Sequence, residues 1–257
     1  MAPIIQTYIT TASVIAVYMT LWFIVSIIRK RNDVADTAWG IGFFVASLVP
    51  LYIHGLQTIQ QIIVTTLVLI WGSRLSYHIH KRNSKKGEDP RYLVWRQTWK
   101  WFYTRSFFQV FVLQGVLMLL VVSPVLFINT YATSDISILL VLGVLVWLTG
   151  FIFESVGDAQ LKAFIVNPEN KGKIMDQGLW AYTRHPNYFG EVTQWWGLFI
   201  VALSVPYGVW SIIGPLTITF LILKVSGVPL LEKGFEGRPG WEDYKQRTSM
   251  FIPWSRG

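Results

Sequence analysis

The chain has no cysteine among its 257 residues. That excludes disulfides, thiolate catalysis and cysteine-held iron–sulfur clusters, and leaves the compartment open. Charge is scarce at 14% of residues, against roughly 25% in an ordinary soluble domain. Histidine is scarce as well: His54, His78, His80 and His185 are the whole set. A helix sends His78 and His80 to different faces, and no His-Glu-x-x-His is present, so no metal site is expected. The sequence has no phosphate-binding P-loop and no Gly-x-Ser-x-Gly elbow. Gly234, Gly237 and Gly240 lie three apart but follow no strand, so they do not read as a Rossmann turn. Any nucleotide has to be held by basic side chains and helix ends. Strand alternation, heptads, low-complexity runs and internal repeats are not evident.

Apolar side chains fill the space that charge leaves. They make up 53% of the chain, with thirteen Trp and sixteen Phe, and the mean hydropathy is +0.44. The expectation is an all-α, polytopic integral membrane protein with about seven transmembrane helices, forming one domain over 1–257. A net charge of +8 would suggest nucleic acid in a soluble protein. Here it points to cytoplasmic loops, anionic headgroups and a phosphate-bearing ligand, with no nucleic-acid partner.

The spans are expected near 4–28, 39–53, 62–77, 107–128, 138–153, 187–205 and 212–225. Arg29-Lys30-Arg31 follows the first run instead of preceding it, which reads as a retained span and not a cleaved leader. With the N-terminus outside and the C-terminus cytoplasmic, every Lys and Arg falls on the cytoplasmic side, and the outer turns carry one charge, Asp135. Gly40, Gly42 and Pro50 suit close packing or a kink in the second span. Trp95 to Trp101, aromatic and basic by turns, suits a helix lying at the headgroups.

One stretch, Thr183-Arg184-His185-Pro186-Asn187-Tyr188-Phe189-Gly190-Glu191, turns a basic loop into an apolar helix. Pro186 fits the first turn of that helix. The free N–H groups there, with Arg184 and His185, offer a place for a phosphate. Asn187, Glu191 and Gln194 continue as a polar stripe into apolar surroundings. A basic loop capping a membrane helix is the plainer alternative. Acidic and basic groups in or near spans are candidates because burying them is costly. They are Asp33, Asp36, Arg74, Glu154, Asp158, Glu191 and Lys224. Glu154, Asp158 and Lys162 share a helix face, either as an ion-pair ladder of ~0.3–0.5 kcal/mol per pair or as part of a cytoplasm-facing cavity.

The 183–191 stretch resembles the signature of the steroid 5-alpha-reductase C-terminal superfamily. The tail Ser226-Gly227-Val228-Pro229-Leu230-Leu231-Glu232-Lys233, with Tyr244 to Trp254 and Gly87 to Tyr92, resembles its bacterial DUF1295 branch. The specific part is the C-terminal region, about 107–257. This resemblance implies a seven-helix NADPH-dependent reductase that saturates a carbon–carbon double bond conjugated to a carbonyl, in a bacterial inner membrane with the cofactor site facing the cytoplasm. It places Asp158, Asn187, Tyr188, Glu191, Tyr244 and Arg247 in the cofactor pocket. Arg184, His185, Lys162, Arg74, Arg91 and Tyr92 extend it. Glu191 is also taken as catalytic. The steroid reductases use a Glu on the second span and a Tyr on the third. This chain offers Asp36 and, two turns beyond Trp71, Tyr77. Helix capping and an interfacial aromatic are their plainer readings. The expected substrate is a lipophilic, steroid- or isoprenoid-like enone, with membrane lipids as surroundings. The alternatives are an S-adenosylmethionine-dependent methyltransferase of the isoprenylcysteine type, which shares a related Arg-His-Pro motif, and a lipid-binding protein without turnover.

Overall fold

A computed structural model describes residues 2–84, 86–132 and 136–254. Lys85 and Asp135, the latter expected as the outer charge, lie outside the described residues. The described chain is helical, and its one β-contact is an isolated parallel bridge between Thr183 and Ser249. Among the described residues, six helical segments are long and apolar enough to cross a bilayer, so the protein is an integral membrane protein. The expected sixth span is the 17-residue helix Pro186–Ala202, about 25 Å long at 1.5 Å per residue.

The helices cluster into two compact units. The first comprises Met1–Ser137 and Ala202–Gly214. It holds α1 (Ala2–Arg29), α2 (Val34–His54), α3 (Ile59–Asn83), α4 (Pro90–Thr98) and α5 (Phe102–Ser106). A π-helical turn, Phe107–Val112, leads into α6 (Leu113–Val121) and α7 (Ser123–Tyr131). The fourth span is thus not the continuous rod expected over 107–128: it breaks at Val122, before Ser123-Pro124, because proline has no N–H to continue the ladder.

Small residues set the spacing in this unit. A Cβ on Gly40 would lie 2.4 Å from the carbonyl oxygen of Gly72, so the backbones of α2 and α3 touch. Ser76 fastens the same crossing: its hydroxyl donates to the Thr37 carbonyl at 2.8 Å and accepts from the Ile41 N–H at 3.0 Å. Thr58 and Gln61 form a reciprocal cap at the start of α3, a motif worth about 1 kcal/mol. At the other end of α3, charges fold a loop down. Buried Glu88 accepts from the Asn32 N–H at 2.6 Å and from Arg96 at 3.0 Å. Arg31 grips Asp33 and the carbonyls of Asn83 and Gly87. The α4 segment is therefore anchored, with Trp95 and Trp99 stacked at 4.7 Å and Arg96 over Phe102 at 4.4 Å.

The second unit comprises Ile138–Val201 and Pro215–Gly257. It is built on α8 (Ile138–Val166) and α9 (Pro186–Ala202). The last membrane segment starts with α10 (Ile213–Phe220), followed by a π-helical turn at Leu221–Val225 and α11 (Val228–Lys233). The tail adds α12 (Trp241–Arg247). The helix that holds the fifth span, expected near 138–153, continues to Val166 and carries Glu154 and Asp158 to partners on α9.

Three glycines of α8, Gly143, Gly150 and Gly157, stand seven residues apart. They face Gly197, Gly190 and Pro186 in antiparallel order. A Cβ on Gly150 would meet the Gly190 carbonyl oxygen at 2.6 Å, and one on Gly190 would meet the Glu154 nitrogen at 2.4 Å. Close approach through small residues is the usual way membrane helices gain contact where no hydrophobic drive separates them from lipid. Here it presses the polar residues of both helices against each other.

Candidate functional site

The α8–α9 seam carries two matched pairs. Asn187 donates its amide N–H to Asp158 at 3.1 Å. Gln194 donates to Glu154 at 2.6 Å and to the Gly190 carbonyl at 3.3 Å. The seam sets the match: Gly157 lies against Pro186 and Asn187, and Gly150 against Gly190 and Gln194, so side chains from neighbouring turns of α8 reach 187 and 194 on one face of α9. Glu154 is 3% exposed and Gln194 1%. The side-chain oxygens of Asn187 and Gln194 are buried and find no hydrogen-bond partner among the described residues. Glu191, half-buried, lies on the same face of α9. The expected polar stripe is there, and it faces α8. Lys162 stands exposed on the last turns of α8.

The motif before α9 is folded by the tail. Arg184 is 6% exposed. Its Nε donates to Glu232 at 2.8 Å, and its Nη1 donates to the carbonyls of Lys245 and Thr248 at 3.1 and 2.8 Å. His185 Nε2 lies 3.1 Å from the same Glu232 oxygen, and its ring stacks on Tyr188 at 5.8 Å. Thr183 donates to the Phe251 carbonyl at 2.8 Å, and the Arg184 N–H donates to the Ser249 carbonyl. Arg184 and His185 were expected to offer donors to a phosphate. In the structure Arg184 holds the tail against the loop, and its charge is balanced by Glu232. What is left bare there is the other ring nitrogen of His185, Nδ1, buried without a partner among the described residues.

Tyr244 and Arg247 project from α12. The Tyr244 hydroxyl donates to the Trp180 carbonyl at 2.7 Å, and Trp180 Nε1 donates to the Gly157 carbonyl at 3.1 Å. This chain of contacts ties the tail to α8 at its third seam glycine. Burial pushes the Tyr244 hydroxyl pKa up, so it stays a donor. Arg247 is exposed and pairs with Asp176. Beside this pair, Gln160, Phe164, Asn167, Asn170, Met175 and Gln177 line an open, uncharged cavity of about 380 Å³.

In the first unit, Asp36 lies in the first turn of α2, where Asp33 holds the capping position. Its carboxylate accepts from the Tyr92 hydroxyl at 3.1 Å, with Arg91 3.7 Å away. Burial first, then the Asp36 charge, pushes the Tyr92 pKa well above its ordinary value. The phenol therefore remains protonated and hydrogen-bonded. Tyr77, expected as the partner of Asp36, is 64% exposed and receives a hydrogen bond from Lys81. The acid–phenol pair brought together is Asp36 with Tyr92. Arg74 is half-buried on α3. No group of three or more His, Asp or Glu among the described residues is placed to hold a metal.

The chain belongs to the DUF1295 family. The family model, described as a protein of unknown function, matches residues 22–248. That range takes in every candidate above, from Asp36 to Arg247. No curated protein and no solved structure matches the chain.

Three residues of this DUF1295 chain that the resemblance does not place in the cofactor pocket make close contacts with or beside those it does. Glu232 was legible as part of the tail motif, and Gln194 as the end of the α9 stripe. Glu154 was visible as a costly charge within a span. The signal that joins Glu154 and Gln194 is the seven-residue glycine spacing of α8, which sets a close seam with α9.

Proposed function

We propose that the protein is a membrane-embedded NADPH-dependent reductase that saturates a carbon–carbon double bond conjugated to a carbonyl in a lipophilic, steroid- or isoprenoid-like substrate. The reading rests on the 183–191 motif. Its resemblance to the steroid 5-alpha-reductase superfamily supplies the activity, and its Asn187 stands on a buried row of hydrogen-bonding groups continuous with a basic loop. In this reading Asp158, Asn187, Tyr188 and Glu191 bind the cofactor from α8 and α9. Tyr244 and Arg247 bind it from the tail, and Lys162 and Arg247 supply exposed positive charge for its phosphates. Arg184 and His185 shape that surface through Glu232. Arg74 and Arg91 add charge in the first unit.

The cofactor, when bound, supplies a hydride, and the protein has to meet the carbonyl oxygen with a donor as enolate charge develops. Tyr92 is the donor we favour, with Asp36 orienting its hydroxyl. Tyr77 gives way because its hydroxyl is exposed and tied to Lys81. Orientation follows the charge: the Lys- and Arg-rich loops face the cytoplasm of a bacterial inner membrane.

One observation favours a second reading. The Arg184-His185-Pro186 sequence is related to one in methyltransferases of the isoprenylcysteine type, whose ligand is S-adenosylmethionine. Thermal unfolding of the purified protein in detergent separates the two. A ligand at 100 times its dissociation constant adds ~2.7 kcal/mol. NADPH is expected to stabilise, more strongly than NADH. Stabilisation by S-adenosylmethionine alone would put the methyltransferase in first place.

A further inference from the structure

We propose that the open cavity at the C-terminal end of α8 takes the adenine ring of the dinucleotide, and that Asn170 is the residue that selects adenine. The inference rests on the reductase reading and adds to it which end of the cofactor the loop after α8 holds.

The cavity is made by the end of a helix and the loop that returns to it. Gln160 and Phe164 come from α8, and Asn167, Asn170, Met175 and Gln177 from the loop. The Leu179 N–H donates to Gln160 Oε1 at 3.0 Å and fastens the loop to the helix. Gly178, at φ +60°, lets the two meet, since a Cβ there would lie 2.4 Å from Gln160 Nε2. The volume of about 380 Å³ falls in the range of small-molecule sites, ~300–1,000 Å³. No lining side chain carries a charge, so the cavity is not built for a phosphate. Phe164 and Met175, both half-buried, offer an aromatic ring and a polarisable thioether to the face of a planar base.

The hydrogen bonds already made decide what the amides can still give. Asn170 donates its amide N–H to the Phe164 carbonyl at 3.1 Å, which orients the group and leaves Oδ1 to accept. Asn167 Oδ1 accepts the Glu169 N–H at 3.0 Å, and Gln160 Oε1 accepts that of Leu179, so their nitrogens remain to donate. Adenine matches one acceptor among donors: its amino group donates and its ring nitrogens accept. Hypoxanthine and guanine put a carbonyl oxygen where adenine has the amino group, and would set it against Asn170 Oδ1. The charge nearby agrees. The 2′-phosphate of NADPH hangs on the adenosine ribose. Arg247 is held next to the cavity by Asp176, which lies between the lining residues Met175 and Gln177.

The test compares NADPH with reduced nicotinamide hypoxanthine dinucleotide phosphate, which differs in that one amino group and the ring proton that goes with it. Binding is measured with the full chain in lipid nanodiscs, by energy transfer from tryptophan to the dihydropyridine that both carry. The wild type is expected to bind the hypoxanthine dinucleotide about tenfold more weakly, equivalent to 1.4 kcal/mol. Asn170→Leu should bind NADPH about tenfold more weakly and the analogue unchanged, so that the preference disappears. Asn170→Arg offers donors alone and should reverse the preference, which a merely structural loss would not do. Should one variant fail to fold, the other carries the test. A wild type that does not favour the adenine dinucleotide overturns the proposal, and so does a preference that survives in a folded variant. A wild type that binds neither dinucleotide overturns the reductase reading as well, which tells the two failures apart.

Discussion

One carboxylate oxygen of Glu232 receives the Nε of Arg184 at 2.8 Å. The guanidinium is 6% exposed, and the same oxygen also lies 3.1 Å from His185. A buried charge that loses its partner costs about 3 kcal/mol or more. Glu232→Ala should therefore destabilise the protein by about that amount, and Glu232→Gln by less, because an amide oxygen still accepts. Denaturant or thermal unfolding in detergent reads the difference. A Glu232→Ala protein as stable as the wild type would show that this contact does not hold the motif.

The α8–α9 seam leaves no room for a methyl group at Gly190, where a Cβ would sit 2.4 Å from two backbone atoms of α8. Gly190→Ala should cost about 1–3 kcal/mol through forced separation of the helices. It should also weaken NADPH binding, because Asp158 and Glu154 move away from their amides. Gly87→Ala, at a position with no atom near the added group, is the control and should unfold like the wild type. Equal effects at both positions would refute the seam.

Tyr92 and Asp36 give a pair of variants with opposite expectations from Tyr77. Tyr92→Phe removes the hydrogen bond to Asp36, with a stability loss of about 1 kcal/mol. It should lower NADPH oxidation on a lipophilic enone by at least about tenfold. Tyr77→Phe should keep turnover within about twofold, since its hydroxyl is exposed. Reversal of that order would return the donor role to Tyr77.

Asp89 caps α4, accepting from the Arg91 N–H at 2.9 Å and from its Nε at 3.0 Å. Burial alone would raise its pKa, but the bonds from Arg91 outweigh burial and lower it. A carboxylate lowered on folding adds stability above its unfolded pKa of ~3.9. That stability is lost as pH falls through the folded value. The stacked Trp95 and Trp99 of α4 should report the loss as a fluorescence change below about pH 4. Asp89→Asn should flatten that acid limb, and an unchanged limb would mean that other carboxylates control it.

Much of the helical framework could be read from apolar run lengths, because a bilayer sets a minimum span and leaves few ways to meet it. The start of α9 was legible from Pro186, and the close approach of α2 to its neighbours from Gly40 and Gly42. Charge pairing was harder to read. Glu154 and Asp158 mark the end of the apolar run, and the sequence alone does not pair them with Gln194 and Asn187 of α9. The site divides in the same way. Asp158 and Asn187 announce themselves through a motif, whereas Asp36 meets a phenol 56 residues away that hydropathy does not connect to it. Tyr77 was nearer in sequence and on a span, but its side of α3 faces outward. The break at Val122 was visible in Ser123-Pro124, although an uninterrupted apolar run concealed it.

The order of synthesis follows from how the motif is held. Arg184 leaves the ribosome 48 residues before Glu232 and 64 before Thr248. Through that interval its cation has none of the partners that later enclose it. The Thr183–Glu191 stretch can close only after the last turn of α12 has been made, so insertion of α9 precedes the contacts that fix its own entrance.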